Sequence, residues 1–446
     1  MRNKLILTLF LFVSILNAQD KKESFSFSLD QAISHAISNN RTSINAGRDI
    51  EIAKKKKWET TAMGLPQING NVNYQNNFKL QTSLIPAEIF GGTPGEFAEV
   101  TFGTKNNLTG ALSLSQLLFD GSYIVALQAS KIYLQFYENY KKKTDTDVRE
   151  MVINSYGNVL LAEESVLILQ KNKAILEKTV YETDETYKNG LIEEENVEQL
   201  KITLSSVNSN LNYTTRLRDI SLKMLKLNLG IDIESELTLT DKLDALVVNN
   251  LDLAMKNSDF NPTGNINYVI TQNFVEQRNL ELKLEKSKAL PSLSLGLNFG
   301  YNSFGNKFTF FNSDQRYFNF SNLGINLNVP IFSSFARSAK TQQAKVALEK
   351  AKTDLTTTEQ NLKLTYQNAK SDYEFSIEQY NSSKESLKLA ERIEKKQQIK
   401  FKEGLSSSFD FTEAQRQLYT SQQNYLQTMV DVITKKAALE KITNKN

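Results

Sequence analysis

Four stretches of this chain alternate between two kinds of side chain almost without error, and few folds accept them. The first sets Ile68, Gly70, Val72 and Tyr74 against Gln67, Asn69, Asn71 and Asn73. The second sets Leu108, Leu112 and Leu114 against Thr109, Ser113 and Ser115. The third sets Leu293, Leu295, Leu297, Phe299 and Tyr301 against Ser294, Gly296, Asn298, Gly300 and Asn302, and the fourth sets Leu323, Ile325, Leu327 and Val329 against Asn322, Asn326 and Asn328. A period of two predicts strands with one apolar and one solvated face. Each run has about the 9–11 residues that a tilted strand needs to cross a bilayer.

The polar faces are Asn, Ser, Thr and Gly, with almost none of the Lys and Glu usual on a soluble sheet. Tyr74, Phe78, Tyr301, Phe304, Phe308, Tyr317 and Phe318 gather at the loop ends, as an interfacial aromatic girdle would. Together these features predict a membrane sheet, with Asn69, Asn71, Asn73, Asn298, Asn326 and Asn328 lining a barrel lumen. Four strands do not close a barrel, and an open edge in lipid leaves backbone groups unpaired at several kcal/mol each. Other copies must therefore complete it. Two copies would supply eight strands and three would supply twelve. Both totals are even, so the arithmetic alone does not choose.

The chain is written twice. Leu65-Pro66 and Leu290-Pro291 each open a strand, 225 positions apart. Leu114 to Phe119 corresponds to Leu327 to Phe332 at an offset of 213, and Tyr187-Lys188-Asn189-Gly190-Leu191 to Phe401-Lys402-Glu403-Gly404-Leu405 at 214. The fall in offset makes the connection between the paired strands 12 residues longer in the first copy, as an insertion in an exposed loop would.

Long helices fill the rest. The chain has only 18 Gly and 6 Pro in 446 residues, under half the usual share of roughly 12%. Positions 148, 152, 155, 159, 162, 166, 169, 173, 176 and 180 are mostly apolar, and 344, 348, 351, 355, 358, 362, 365 and 369 repeat the spacing with Ala, Leu and Thr. Steps of four and three mark a left-handed coiled-coil seam. Gly190 and Gly404 each follow a lysine as a helix stop would, at the end farthest from the strands. Leu237 to Leu239 reads as a short strand and Asn261 to Gly264 as a loop.

Arg2 and Lys4, the apolar run Leu5 to Leu16 and the small Ala18 make a secretory signal peptide. The expected divisions are a signal at 1–18, helix at 19–64, a strand hairpin at 65–119, a helical hairpin at 120–230 and a linker at 231–264. Helix follows at 265–289, the second strand hairpin at 290–332 and the second helical hairpin at 333–446. A net charge of +3, spread among acids, does not suggest nucleic-acid binding. With no Cys and a single His, His35, no metal cluster or catalytic triad is expected, and neither a cofactor nor an enzyme activity.

This order resembles the TolC-like outer-membrane efflux family. The matching residues are Leu29-Asp30-Gln31-Ala32-Ile33, Ala36 and Asn39-Asn40, the two Leu-Pro strand openings, Phe119-Asp120-Gly121, Pro330-Ile331-Phe332, Gly190-Leu191 and Gly404-Leu405. The resemblance implies a mixed α and β fold in which each protomer gives four strands to a trimeric 12-stranded barrel, continued by a helical tunnel in the periplasm. It implies a passive outer-membrane duct surrounded by lipid, serving drug or metal efflux or type I secretion. Its partners would be a periplasmic adaptor (membrane fusion protein) and an inner-membrane transporter. By the same resemblance Gly190, Leu191, Gly404 and Leu405 form the tip that meets the adaptor, and Glu195, Asn196, Asp410 and Glu413 the entrance gate. Ser406 stands where some members carry a clamping Arg, and Asn196 where an Asp is common. For Asp410 and Glu413, plain helix capping competes with the gate role. The alternative class is a secreted coiled-coil scaffold or adhesin with a soluble sheet. Nothing in the sequence names a cargo.

Overall fold

A computed structural model describes residues 24–251 and 260–444. The signal peptide expected at 1–18 lies outside the described residues. The element order is β1 (Ser24–Phe27), α1 (Leu29–Asn39), α2 (Arg41–Ala62), β2 (Gln67–Asn76), β3 (Thr82–Pro86), β4 (Phe97–Thr101), β5 (Asn106–Asp120), α3 (Gly121–Lys188) and α4 (Glu194–Leu229). It continues with β6 (Glu236–Leu239), α5 (Leu243–Asn250), α6 (Ile266–Ser287), β7 (Ser292–Gly305), β8 (Phe318–Asn328), α7 (Ala336–Lys402) and α8 (Ser408–Thr443). The chain divides into two compact units, one built from 24–50, 137–272 and 354–444, the other from 51–136 and 273–353.

The second unit is organised by one antiparallel sheet in the order β2-β5-β7-β8. Its register keeps like with like: Ile68 pairs with Leu114, Leu114 with Leu297 and Leu297 with Leu323, while Asn69, Ser113, Asn298 and Asn322 make the next row. Near the end of β5 the pairing skips from Leu117–Ser294 to Phe119–Leu293. This bulge reverses the pleat, so Phe119 joins the apolar face although Leu117 lies on the polar one. Beyond it, Asp120 Oδ1 accepts from the backbone N–H of Ser122 and Tyr123 at 2.6 and 3.2 Å, which starts α3. The longer first connection is not featureless: β3 and β4 pair there as a two-stranded hairpin.

In the first unit, β1 and β6 pair in parallel from Ser24–Glu236 to Phe27–Leu239, so the short strand expected at 237–239 is present. Pro262–Gly264, expected as loop, forms one 3₁₀ turn capped by Asn261, whose side chain accepts from Thr263 N at 3.0 Å. The expected seam of α3 is buried at Val148, Val152, Val159, Val166 and Leu176. That of α7 follows the expectation to Leu362 and then departs: Thr365 is exposed and Tyr366 is buried instead. Two successive steps of four relax the local supercoil, and the seam continues through Tyr373 and Tyr380. Large rings decide the shift. Tyr366 stacks on Phe260 at 4.7 Å, Tyr380 on Tyr425 at 5.7 Å, and Tyr373 donates its hydroxyl to Asn250 O at 2.7 Å. Among the described residues no helix is long and apolar enough to cross a membrane.

Gly230 ends α4 at φ 82°, and a Cβ there would lie 2.1 Å from Asn39 O. Contact with the backbone at that distance forces the chain apart, and the left-handed conformation adds its own cost. Gly230→Ala is expected to destabilise this unit by about 2 kcal/mol or more, read as a lowered melting temperature in circular dichroism.

Candidate functional site

Two constellations carry the chemistry, one in each unit. The first lies where the paired helices turn. Lys188, in the last turn of α3, bridges Asp184 and Glu185, both at 2.8 Å. The carboxylates hold its ammonium well above its ordinary pKa, and the same lysine holds Asp184 below the usual carboxylate range. Cations suit a helix C-terminus because the last carbonyls there are unpaired.

Gly190 then takes φ 74°, its N–H donating to Tyr187 O and that of Leu191 to Thr186 O. Gly404 repeats this at φ 69°, with Gly404 N to Phe401 O and Leu405 N to Lys400 O. Both are Schellman turns. Each leaves a leucine bare: Leu191 is 75% and Leu405 77% exposed.

Beyond the second turn, Ser407 and Asp410 form a capping box, the Ser407 hydroxyl accepting from Asp410 N at 3.1 Å and donating to the carboxylate at 2.8 Å. Asp410 therefore has the capping role within the protomer. Glu413 faces Arg416, whose guanidinium holds its carboxyl below the ordinary range. Asn196 Oδ1 accepts from Ser408 N at 3.3 Å and so ties the start of α4 to that of α8. Sequence reasoning missed two further ties, Lys402 to Glu182 at 3.2 Å and the parallel stack of Phe401 on Phe411 at 5.3 Å. No repeat spacing announces either.

A cavity of about 910 Å³ opens between these turns, and Leu191, Asn196, Gly404, Leu405 and Asp410 line it with Glu182, Glu193 and Lys402. Gly190, Glu195 and Glu413 are outside that lining. The expected tip and gate residues thus converge in part. Ser406 donates to Gln397 Oε1 at 3.1 Å.

The second constellation is the polar face of the sheet. Asn69, Asn71, Asn73, Asn298, Asn326 and Asn328 fall on one face by register, with Asn298 donating to Asn322 at 3.0 Å and Thr109 to Asn302 at 2.8 Å. The expected aromatic girdle divides. Tyr74 and Tyr301 lie on the apolar face, with Phe308 edge-on to Tyr74 at 5.3 Å and Tyr317 beside Tyr301 in one apolar groove. Phe304 pairs with Asn107 and Phe318 with Asn302, so both belong to the polar face. The reason is parity: two residues at a loop end share a face only when an even number of positions separates them along one strand.

His35 sits against Phe25 and Phe27 at 5.9 and 4.9 Å, and burial lowers its pKa. Among the described residues no group of three His, Cys, Asp or Glu could hold a metal ion.

A four-stranded amphipathic sheet with two pairs of long helices is a fold that this chain shares with solved outer-membrane channels. CusC, the subject of a structure of transmembrane channel formation, aligns with TM-score 0.75 at 16% identity over 96% of this chain and 94% of that one. The outer membrane channel CmeC of Campylobacter jejuni aligns with TM-score 0.71 at 18% identity over 93% and 85%. The outer membrane protein VceC of Vibrio cholerae aligns with TM-score 0.69 at 16% identity over 93% and 95%. Residues 274–445 match the model of the outer membrane efflux protein family. Over those residues the match agrees with the family resemblance drawn from the sequence motifs. No curated protein sequence matches the chain.

Ser407→Ala removes one cap from α8 while leaving the turn intact. The expected cost is about 1 kcal/mol, seen as a lower denaturation midpoint with the helical content of the native protein unchanged.

Proposed function

We propose that three copies of this chain pool their sheets into one 12-stranded barrel and act as a passive duct from periplasm to exterior. The observation that carries this reading is the character of the sheet's two free edges. β2 and β8 are 10 and 11 residues long and contain no Lys, Glu, Asp, Arg or Pro. Soluble proteins blunt such edges with charge or proline. Because all four strands alternate in direction, β8 of one copy meets β2 of the next antiparallel, and each added copy extends the same sheet. Closure satisfies every edge group, which lipid requires.

In this reading the apolar face meets outer-membrane lipid and the asparagine face lines water. The helical hairpins belong to the periplasmic tunnel, with the divisions set out from the sequence. The Schellman turns, with Leu191 and Leu405 bare, offer a periplasmic adaptor its contact, and an inner-membrane transporter supplies the energy. Efflux and type I secretion both remain within this assignment, since cargo would be selected by the transporter. Glu195, Asn196, Asp410 and Glu413 would face the entrance, where a ring of carboxylates favours cations.

Light scattering in detergent should give three copies per particle, and a detergent-free soluble monomer would sustain the scaffold reading instead. Ile325→Lys places a charge on the lipid face at a cost of about 2–4 kcal/mol near the bilayer midplane, so trimers should fail to accumulate in the outer membrane. Replacing Asp410 with Asn and Glu413 with Gln together should raise anion permeability in planar bilayers. An unchanged reversal potential in a salt gradient refutes their gate role.

A further inference from the structure

The polar face of the sheet departs from its own composition at one place. Phe304, Phe318 and Phe320 occur there, at the loop end, on a face made mainly of Asn, Gln, Ser, Thr and Gly, whose other apolar members are Ala111 and, at the opposite end, Leu117. The rings of Phe304 and Phe318 lie 6.1 Å apart, and those residues are 47% and 49% exposed. Phe320 lies over Gly300, where a Cβ would come within 2.8 Å of the ring. The Arg316 guanidinium rests 5.7 Å from the Phe318 centroid. Phe304, Phe318 and Arg316 wall a cavity of about 630 Å³, together with Asn107, Thr104 and Asp314.

The site is built rather than incidental. Ser303, fully buried, donates to Arg316 O at 2.7 Å and accepts from the Gln315 amide at 2.8 Å. That amide also donates to Phe304 O at 3.2 Å, while Thr309 donates to Gln315 Oε1 at 2.7 Å. The loop that carries Arg316 is thus pinned to the strand that carries Phe304.

We propose that this cavity is a subsite for planar aromatic molecules bearing a single acid group. The proposal rests on the duct reading, in which the polar face lines the lumen. A guanidinium stacked on a ring keeps its N–H edge free for a carboxylate or sulfonate. The Phe304 ring supplies an apolar surface for the aromatic body. The volume falls within the range of small-molecule pockets. Asp314 shares the lining and offsets the charge of Arg316, so the cavity selects an aromatic body with one acid group over a polyanion.

The test uses the full-length protein in planar bilayers with 2-naphthalenesulfonate as probe and ethanesulfonate as the non-aromatic control. Naphthalenesulfonate should block the current reversibly, and ethanesulfonate should not. Arg316→Gln and Phe318→Leu should each raise the half-blocking concentration about tenfold, the equivalent of losing one desolvated cation–ring or ion contact. Lys307→Gln, in the same loop but outside the lining, should leave block as it is. Equal block in all variants, or block by ethanesulfonate as well, overturns the subsite. Titration calorimetry in detergent separates the two claims. A conducting protein that binds no probe overturns the subsite alone. A protein that binds the probe through Arg316 but passes no current upholds the subsite and overturns the duct.

Discussion

The structure depends on the obligation of backbone N–H and C=O groups to find partners where no water can supply them. Inside one protomer the sheet meets that obligation at β5 and β7 and leaves it open along β2 and β8. Side chains do nothing to disguise those edges, and the alternation of Ile68, Val72, Leu323 and Ile325 with asparagines leaves one apolar face bare. Hydrophobic exposure and unpaired edges are each tolerable alone on a soluble protein. Together they are what the proposed barrel accounts for, in which lipid covers the face and identical strands cover the edges.

The helical unit obeys a different constraint, the fit of side chains along seams repeating near every 3.5 residues. From Val148 to Leu176 the buried seam is mostly aliphatic, with Tyr156 buried beside Ser155. Where tyrosines enter, at 366, 373 and 380, ring size and the hydroxyl's need for a partner move the seam by one residue. The turns are less negotiable. Gly190, Gly230 and Gly404 all adopt positive φ, but only at Gly230 would a side chain collide with neighbouring backbone. Gly190 and Gly404 are required by conformation, Gly230 by conformation and space.

Much of this was legible in the sequence because strand and helix periods are local signals. The four strands, the long helices, the two helix stops and the strand at 237–239 all follow from period, Gly placement and capping chemistry. What was not legible depends on counting across an irregularity or on contacts between distant segments. The bulge after Leu117, the polar-face position of Phe304 and Phe318, the hairpin of β3 and β4 and the shift from Thr365 to Tyr366 are of the first kind. The Lys402–Glu182 bridge and the tie from Asn196 to Ser408 are of the second. In the candidate site, the turn residues could be named beforehand because glycine announces them. The cavity that opens between the turns could not.

The bare edges also impose a timetable on biogenesis. Under the proposed function a single subunit carries two unpaired borders until it meets its sisters, and no charge or proline in those borders distinguishes a sister from a stranger. Correct closure is a higher-order encounter, whereas a wrong pairing needs only one collision. Under the proposed function, custody of the single subunit before closure therefore matters alongside the strength of the finished cylinder.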